Sequence, residues 1–309
     1  MGVVLKIGVI GAGSMGALHA RVVATNPRTE LAWICDVNGS VRESVAKRFG
    51  CRAVSEPEWD VDGVIVAVST QFHFEIGLEI IKNRIPLLME KPLTDGIETT
   101  KELIEVSKNS GVPLVCGLLE RFNPAVRTAF EIVKNPIYFK SIRHSPMTPR
   151  IQTGVAGDLL IHDVDLAIKL FGELPREIFG MKDCGTNGIE DISEGLLHFS
   201  NNQIASVSAS RKSQRKVRSI SIAEPNRLLE IDLLRQDITI YQNVSESISD
   251  TEIGYKQLTT IDIPALRFQG EPLMMQLDHF LDLIEEKIDG LADLNSTLQA
   301  HEVIAKIIN

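Results

Sequence analysis

Over the first 120 residues, short apolar runs alternate with segments whose apolar positions recur every three or four residues. "LKIGVIG", "ELAWICD", "CRAVS", "GVIVAV", "IPLLME" and "VPLVCG" read as strands, because brief apolar runs bounded by turn residues fit buried β-structure. Between them, "SMGALHARVVATNP" reads as a helix ended by Asn26-Pro27. "SVRESVAKRFG" reads as a second, capped by Ser40 and stopped by Gly50, and "FHFEIGLEIIKN" and "TTKELIEVSKNSG" complete the set. Strand-helix alternation of this kind predicts a parallel sheet covered on both faces. Six strands is the count of a full doubly wound Rossmann fold.

After about residue 120 the pattern changes. A helix over roughly 123–134 precedes a strand-like "FKSIRHS", and "GDLLIHDVDLAIKLFG" supplies another helix. Strands then dominate: "REIFGMKD", "EGLLHFS" and "QIASVSAS" across Asn201-Asn202, "VRSISIA" and "RLLEIDL" across Glu224-Pro225-Asn226, then "ITIYQ" and "LTTIDIP". Successive hairpins predict a large open, mainly antiparallel sheet in a C-terminal α+β domain. Two amphipathic helices follow, near 272–288 and 296–308. The expected division is 1–120 for the Rossmann domain and 121–295 for a substrate-binding and oligomerisation domain, with 296–309 packing back on the first. One face of the second sheet should pack on helices and the other on a second copy, giving a homodimer or homotetramer.

Composition narrows the class. An apolar fraction of 44% and a charged fraction of 24% are those of a globular protein. A net charge of -9 argues against a nucleic-acid partner, whose phosphates would be repelled. The four cysteines, Cys35, Cys51, Cys116 and Cys184, form no C-x-x-C pair, so a reducing cytoplasm is the expected home and a structural zinc is not. No run approaches the roughly 18–20 apolar residues of a membrane span.

Chemistry enters with "GVIGAGSMG". Gly11, Gly13 and Gly16 form G-x-G-x-x-G after a strand, with Ser14 and Met15 opening the helix that follows. In that context the glycines permit a tight turn, close approach of a pyrophosphate and helix-strand packing, and the anion meets the free N–H groups of the helix N-terminus. Asp36, ending the second strand, suits a carboxylate accepting from both ribose hydroxyls and would repel a 2′-phosphate. NAD is therefore favoured over NADP, with Arg42 keeping the alternative open. Ligands of such folds bind beyond the carboxyl ends of the strands. Those ends hold Ser69 and Thr70, then Glu90, Lys91 and Pro92, then "CGLLERFNP". Beside a nicotinamide, partial burial and the positive ring would push the Lys91 ammonium toward its neutral form, able to bind or deprotonate a hydroxyl. The plainer alternative is a surface lysine after a strand.

"GDLLIHDVDLA" packs Asp158, His162, Asp163 and Asp165 into eight residues. Asp158 and His162 are i,i+4 neighbours on one helix face, where a carboxylate would orient an imidazole and raise its basicity. A metal cage is a rival reading, but no second His or Cys lies at ligand spacing on that face. An acidic helix entrance with a structural histidine is another. Of Asp163 and Asp165, one is open to substrate and the other to capping or solvent.

Taken together, "GxGxxG…D", "MEKPL", "GLLERFNPAV" and "GDLLIHDVDLAIKLFG" resemble the glucose-fructose oxidoreductase/inositol dehydrogenase (Gfo/Idh/MocA) family in order and spacing, over essentially the whole chain. The resemblance implies that Lys91, Asp158 and His162 surround a hydroxyl being oxidised, with the lysine or histidine moving its proton while hydride goes to the nicotinamide. It implies that Glu90 and Pro92 shape the lysine's loop and that His73 lies near the cofactor. Leu160 stands where the family commonly has Gly, and Ser69 where Pro often follows the fourth strand. "GLLERFNPAV" and "SRKSQRKVRSISI" further resemble family members that oxidise C3 of UDP-linked N-acetylamino sugars, which makes Arg121, Asn123 and Arg150 the expected substrate contacts. The basic run Arg211, Lys212, Arg215, Lys216 and Arg218 could attract an anionic substrate, or form a solvated strand edge protected by charge. A dehydrogenase of a free sugar or polyol such as inositol, and a non-catalytic NAD- or sugar-sensing regulator, remain the alternatives.

Overall fold

The computed structural model describes residues 4–147, 153–185, 188–247 and 255–309. Strands β1 (Leu5–Ile10), β2 (Thr29–Cys35), β3 (Arg52–Val54), β4 (Gly63–Val66), β5 (Leu87–Met89) and β6 (Leu114–Cys116) form one parallel sheet in the order β3-β2-β1-β4-β5-β6. The order reverses between β1 and β4, which puts the switch point of a doubly wound sheet beside the glycine turn. Helices α1 (Ser14–Thr25), α2 (Gly39–Phe49), α3 (His73–Lys82) and α4 (Ile97–Ser110) make the crossovers. The cap of α2 is Asn38 rather than Ser40: the Asn38 side chain accepts from Val41 N, and Ser40 Oγ donates to it at 2.8 Å. Gly50 closes that helix in the left-handed region, where an L side chain would be strained.

The second sheet has eight strands. After α5 (Pro124–Ile132) come β7 (Tyr138–His144), α6 (Ile161–Phe171), β8 (Glu177–Cys184), β9 (Glu190–His198), β10 (Ile204–Ser210), β11 (Val217–Glu224), β12 (Arg227–Asp232), β13 (Asp237–Ser247) and β14 (Tyr255–Asp262). Their order is β14-β13-β12-β11-β7-β10-β9-β8, antiparallel throughout except for the central β7·β10 pair. Alternation along the strands separates the faces. Phe139, Ser141 and Arg143 of β7, Ala205, Val207 and Ala209 of β10, and Ile220 and Ile222 of β11 are buried on one side. Phe179, Met181, Leu196 and Ile204 are exposed on the other.

Two helices end the chain, α7 (Pro272–Ile284) and α8 (Leu291–Ile308). Compact unit one comprises Met1–Leu119 with Glu271–Glu302, and unit two comprises Glu120–Gly270 with Val303–Asn309. The return to the first unit thus begins at Glu271, well before residue 296. Leu273, Leu277, Phe280 and Leu281 of α7 join Val9, Val22, Ile65 and Leu88 in one core. Arg28 and Asn26 bond Asp282 and Asp278 of the same helix at 2.6 and 2.8 Å. The last residues group instead with the second unit: a Cβ on Gly180 would lie 2.2 Å from the Ile307 carbonyl oxygen, so only glycine lets the chain end lie on β8.

Candidate active site

In the first unit, the turn after β1 is shaped by what a side chain would strike. Gly11 has φ +97°, and a Cβ there would meet the Ala67 carbonyl oxygen at 2.3 Å; one on Gly16 would meet the Gly11 carbonyl oxygen at 1.8 Å. A Cβ on Gly13 would meet nothing within 4 Å. Gly13 and Ser14 are exposed, Met15 is half-buried, and no side chain caps α1. The first N–H groups of the helix therefore face open space, which fits a pyrophosphate. Asp36 accepts from Ala12 N at 2.7 Å and Asn38 N at 2.8 Å, leaving lone pairs on both carboxylate oxygens for ribose hydroxyls. Arg42 Nη1 donates to the Asp36 carbonyl oxygen at 2.7 Å. The residue that kept a 2′-phosphate open is committed to the turn's own backbone.

Ser69 and Thr70 open a short 3-10 turn beyond β4, and His73 begins α3 behind it. Its ring is buried, with Nδ1 3.0 Å from the Pro92 carbonyl oxygen and Nε2 3.2 Å from that of Val68. Burial pulls the His73 imidazole below its ordinary pKa, against the opposing pull of those carbonyls and of Glu90. The turn it touches carries Lys91, which is half-buried and joined to Pro92 by a cis peptide bond. Glu90 is buried beneath it. Burial pushes the Glu90 carboxyl up, but His19 and Lys91 together hold it below the ordinary range. An ionised carboxylate only accepts, so His19 Nε2 donates to Glu90 Oε1 at 2.8 Å. On the far side of the turn, Leu93 N donates to His301 Nε2 at 2.9 Å, while His301 Nδ1 lies 2.7 Å from the Thr297 carbonyl oxygen.

In the second unit, Ala156–Leu160 forms a π-helical turn that runs directly into α6. The regular helix expected through Asp158 and His162 is thus widened at its start, a distortion frequent at functional sites. Residues 161–168 are all buried, and His162, Asp163 and Asp165 are among them. Buried carboxylates require counter-charges. Arginines from three separate stretches of the chain supply them, and one of the three meets half-buried Asp158. Arg143 of β7 grips Asp163 with Nε at 3.0 Å and Nη2 at 2.6 Å, and reaches Glu120 with Nη1 at 2.8 Å. Arg121 grips Asp165 with Nε at 2.7 Å and Nη2 at 2.6 Å. Arg211 donates to Asp158 at 2.7 Å. Neither Asp163 nor Asp165 faces solvent, each being 1% exposed.

The expected substrate contacts carry internal bonds. Arg121 holds Asp165, while Asn123 is buried, caps α5 through Ala125 N and donates to Glu120. Arg150 lies outside the described residues. The basic run divides: Arg211 is buried, Lys212 pairs with Asp191, Arg215 and Lys216 are exposed, and Arg218 lies directly across from Arg143 in the β11·β7 ladder. Burial and the like charge of Arg143 lower the Arg218 pKa. His19, His301, Arg143 and Arg211 carry much of this geometry without having been singled out as site residues. Arg143 shares the parity of Phe139 in "FKSIRHS", which marks it as inward-facing, and His19 falls among the buried apolar positions of α1.

Residues 5–118 match the model described as the oxidoreductase family with an NAD-binding Rossmann fold, and residues 128–224 match the GFO/IDH/MocA C-terminal domain. The chain belongs to the Gfo/Idh/MocA family of oxidoreductases. Within that family it is 28% identical to UDP-N-acetylglucosamine 3-dehydrogenase of Acidithiobacillus ferrooxidans, over 77% of each chain. A solved structure of that enzyme superposes with a TM-score of 0.85 at 24% identity, covering 98% of this chain and 96% of the other. The scyllo-inositol 2-dehydrogenase (NAD(+)) of Bacillus subtilis is 25% identical over 97% of this chain and 92% of its own. Levoglucosan dehydrogenase in complex with NADH and levoglucosan shares the fold, with a TM-score of 0.83 at 20% identity over 98% and 96% of the two chains. The glycine turn and E-K-P turn fall within the first matched segment, and the π turn with α6 within the second. Among the described residues no helix is long and apolar enough to cross a membrane.

Proposed function

We propose that this protein oxidises a ring hydroxyl, at C3, of a UDP-linked N-acetylamino sugar, using NAD. The observation that carries the chemistry is Lys91, rooted on a buried, hydrogen-bonded turn at the carboxyl end of β5, where sheets of this kind bind their ligands. Gly11, Gly13, Gly16 and Asp36 would hold the dinucleotide, with Ser14, Met15, Ser69, Thr70, His73, Glu90 and Pro92 around it. Bound there, NAD supplies the acceptor for a hydride. The lone pairs left on the Asp36 carboxylate for ribose hydroxyls and the engaged guanidinium of Arg42 support NAD over NADP.

The hydroxyl proton would pass to Lys91 or to His162. Asp158 orients the imidazole, with its own charge moderated by Arg211. The nucleotide-sugar assignment is supported by the 28% identity to a UDP-N-acetylglucosamine 3-dehydrogenase. Its test is direct: purified protein given NAD and UDP-N-acetylglucosamine should form NADH and a keto sugar, with Lys91→Met and His162→Ala losing turnover by orders of magnitude while still binding NAD. Reduction seen only with inositol or free sugars would establish the second reading, polyol dehydrogenation, which the near full-length match to an inositol dehydrogenase favours. We further propose that two copies meet through the exposed sheet face bearing Phe179, Met181, Leu196 and Ile204.

A further inference from the structure

We infer that His19, His73 and His301 form an imidazole clamp whose task is to position Lys91. Three bonds flank that residue along the chain. Glu90, just before it, is held by His19 of α1 at 2.8 Å; Pro92, just after it, by His73 of α3 at 3.0 Å; and Leu93 by His301 of α8 at 2.9 Å. All three rings are buried and all belong to the first unit. Lys91 thus projects from a peptide fixed on both sides by different helices.

The chemistry explains why imidazole recurs. The turn leaves β5 and is buried at Glu90, Pro92 and Leu93, so its polar groups must find partners other than water. The groups to be met differ in kind: an ionised carboxylate, a carbonyl oxygen and an N–H. An imidazole carries two ring nitrogens, one able to donate while the other accepts, so a single residue type can meet acceptors at Glu90 and Pro92 and a donor at Leu93. His301 shows both uses in one ring, since the Leu93 N–H requires a lone pair on Nε2 and the proton must then sit on Nδ1, facing Thr297 O. His19 lies three residues beyond Gly16 on the helix that would receive the pyrophosphate, so its bond to Glu90 joins the cofactor's helix to the lysine's turn. A misplacement of about 1 Å at a reacting group costs on the order of 10²-fold in rate, and a four-carbon side chain amplifies any tilt at its root.

The inference rests on Lys91 acting on the substrate, and the experiment separates the two claims. His19→Leu and His301→Leu should lower kcat by about 10²-fold, with the Kd for NAD changed less than about threefold. His19→Gln and His301→Gln, which keep a donor or an acceptor, should recover a substantial part. In a Lys91→Met background, His301→Leu should reduce the residual turnover no further, because the clamp acts only through the amine. Full turnover in Lys91→Met would overturn the lysine reading itself. An inactive Lys91→Met beside fully active His19→Leu and His301→Leu would overturn the clamp alone, as would equal losses from His301→Leu with and without Lys91. Should the leucine variants not fold, His19→Asn and His301→Asn, polar but too short to reach Glu90 and Leu93 N, decide: wild-type kcat with a lowered Tm would make the histidines structural only.

Discussion

Arg143→Met is the sharpest test of how the second unit holds its candidate active-site helix. Arg143 is 1% exposed and serves two carboxylates, Asp163 on α6 and Glu120 ahead of α5. Methionine fills much of the same space without the charge and strands both acids. Breaking one buried pair from one side costs about 3–5 kcal/mol, because the orphaned ion stays desolvated. Here two ions are stranded, and Arg218, one strand away on the same face, offsets part of the loss. We therefore expect a loss of about 3–4 kcal/mol near neutral pH. At roughly 2–4 °C per kcal/mol for a unit of this size, the thermal midpoint should fall on the order of 10 °C.

The pH dependence gives the result its signature. In the native protein, burial raises the Glu120 carboxyl but Arg143 and Asn123 pull it below the ordinary range. Its contribution is therefore present above the unfolded value and lost as pH falls through the folded one. Without Arg143 only Asn123 and Arg218 still oppose the burial, and the carboxyl escapes its penalty by taking a proton. The gap between the native chain and Arg143→Met should be widest near pH 7 and shrink below about pH 5. Arg143→Met combined with Asp163→Leu and Glu120→Met should recover most of the loss, since replacing the whole buried triad by apolar residues is nearly neutral. The assay is thermal unfolding followed by circular dichroism at both pH values. A loss under about 1 kcal/mol, or a gap that widens on acidification, refutes the argument that buried ion pairs seat α6.

Three further outcomes are expected. Gly13→Ala should leave the thermal midpoint unchanged but weaken NAD binding more than about tenfold by titration, because its Cβ enters only the space a pyrophosphate needs, whereas Gly16→Ala should destabilise the fold, its Cβ lying 1.8 Å from a backbone oxygen. Stability should begin to fall as pH drops below about 6.5, where unfolded His73 takes up protons that the buried ring resists, and fall more steeply below about 4.5 as Glu90 and Glu120 protonate; thermal midpoints across pH, compared with those of His73→Gln, isolate the first stage. On the proposed pairing through the outer sheet face, the native chain should scatter as a dimer or larger, and Phe179→Lys with Met181→Lys, both exposed there, should scatter as a monomer without loss of secondary structure; a native monomer, or a mass unchanged by the two lysines, would refute that interface.

The six parallel strands, their crossovers and the glycine turn were legible because each rests on neighbours in sequence: apolar runs, 3.6-residue periodicity and a turn that tolerates only glycine at Gly11 and Gly16. What local pattern could not show depends on distant partners. Arg143 meets Asp163 across 20 residues and Arg211 meets Asp158 across 53, so nothing near "SRKSQRK" marks one of its cations as buried. The π turn at Ala156–Leu160 reads as ordinary helix because its letters keep the same spacing. The place of α7 in the first unit follows from Phe280 and Leu281 fitting the Rossmann core and from the Arg28 and Asn26 bonds, neither of which amphipathicity alone reveals. Asn38 rather than Ser40 caps α2 because the helix already begins at Gly39, which puts Val41 N in the third helical position, within reach of the residue at 38.

The aspartates around His162 acquire their meaning from the same long-range pairing. A helix buried on every side over residues 161–168 can tolerate acids only if each is matched. Arginine suits the task better than lysine: its planar fork grips both oxygens of Asp163 and of Asp165, fixing the rotation of α6 as well as its charge. An arginine bound to each of these carboxylates would repel a metal cation, which weighs against the cage reading of the segment. The arginines also fix the point from which the imidazole projects, since His162 directly precedes Asp163 on the helix whose rotation they set. It follows that Arg143→Lys and Arg121→Lys, although they preserve charge, should each lose activity more than stability. A point charge keeps the attraction but abandons the two-point grip, so kcat should fall at least tenfold while Tm moves by only a few degrees. Unaltered kcat in both lysine variants would show that charge alone, and not the fork, orients the helix.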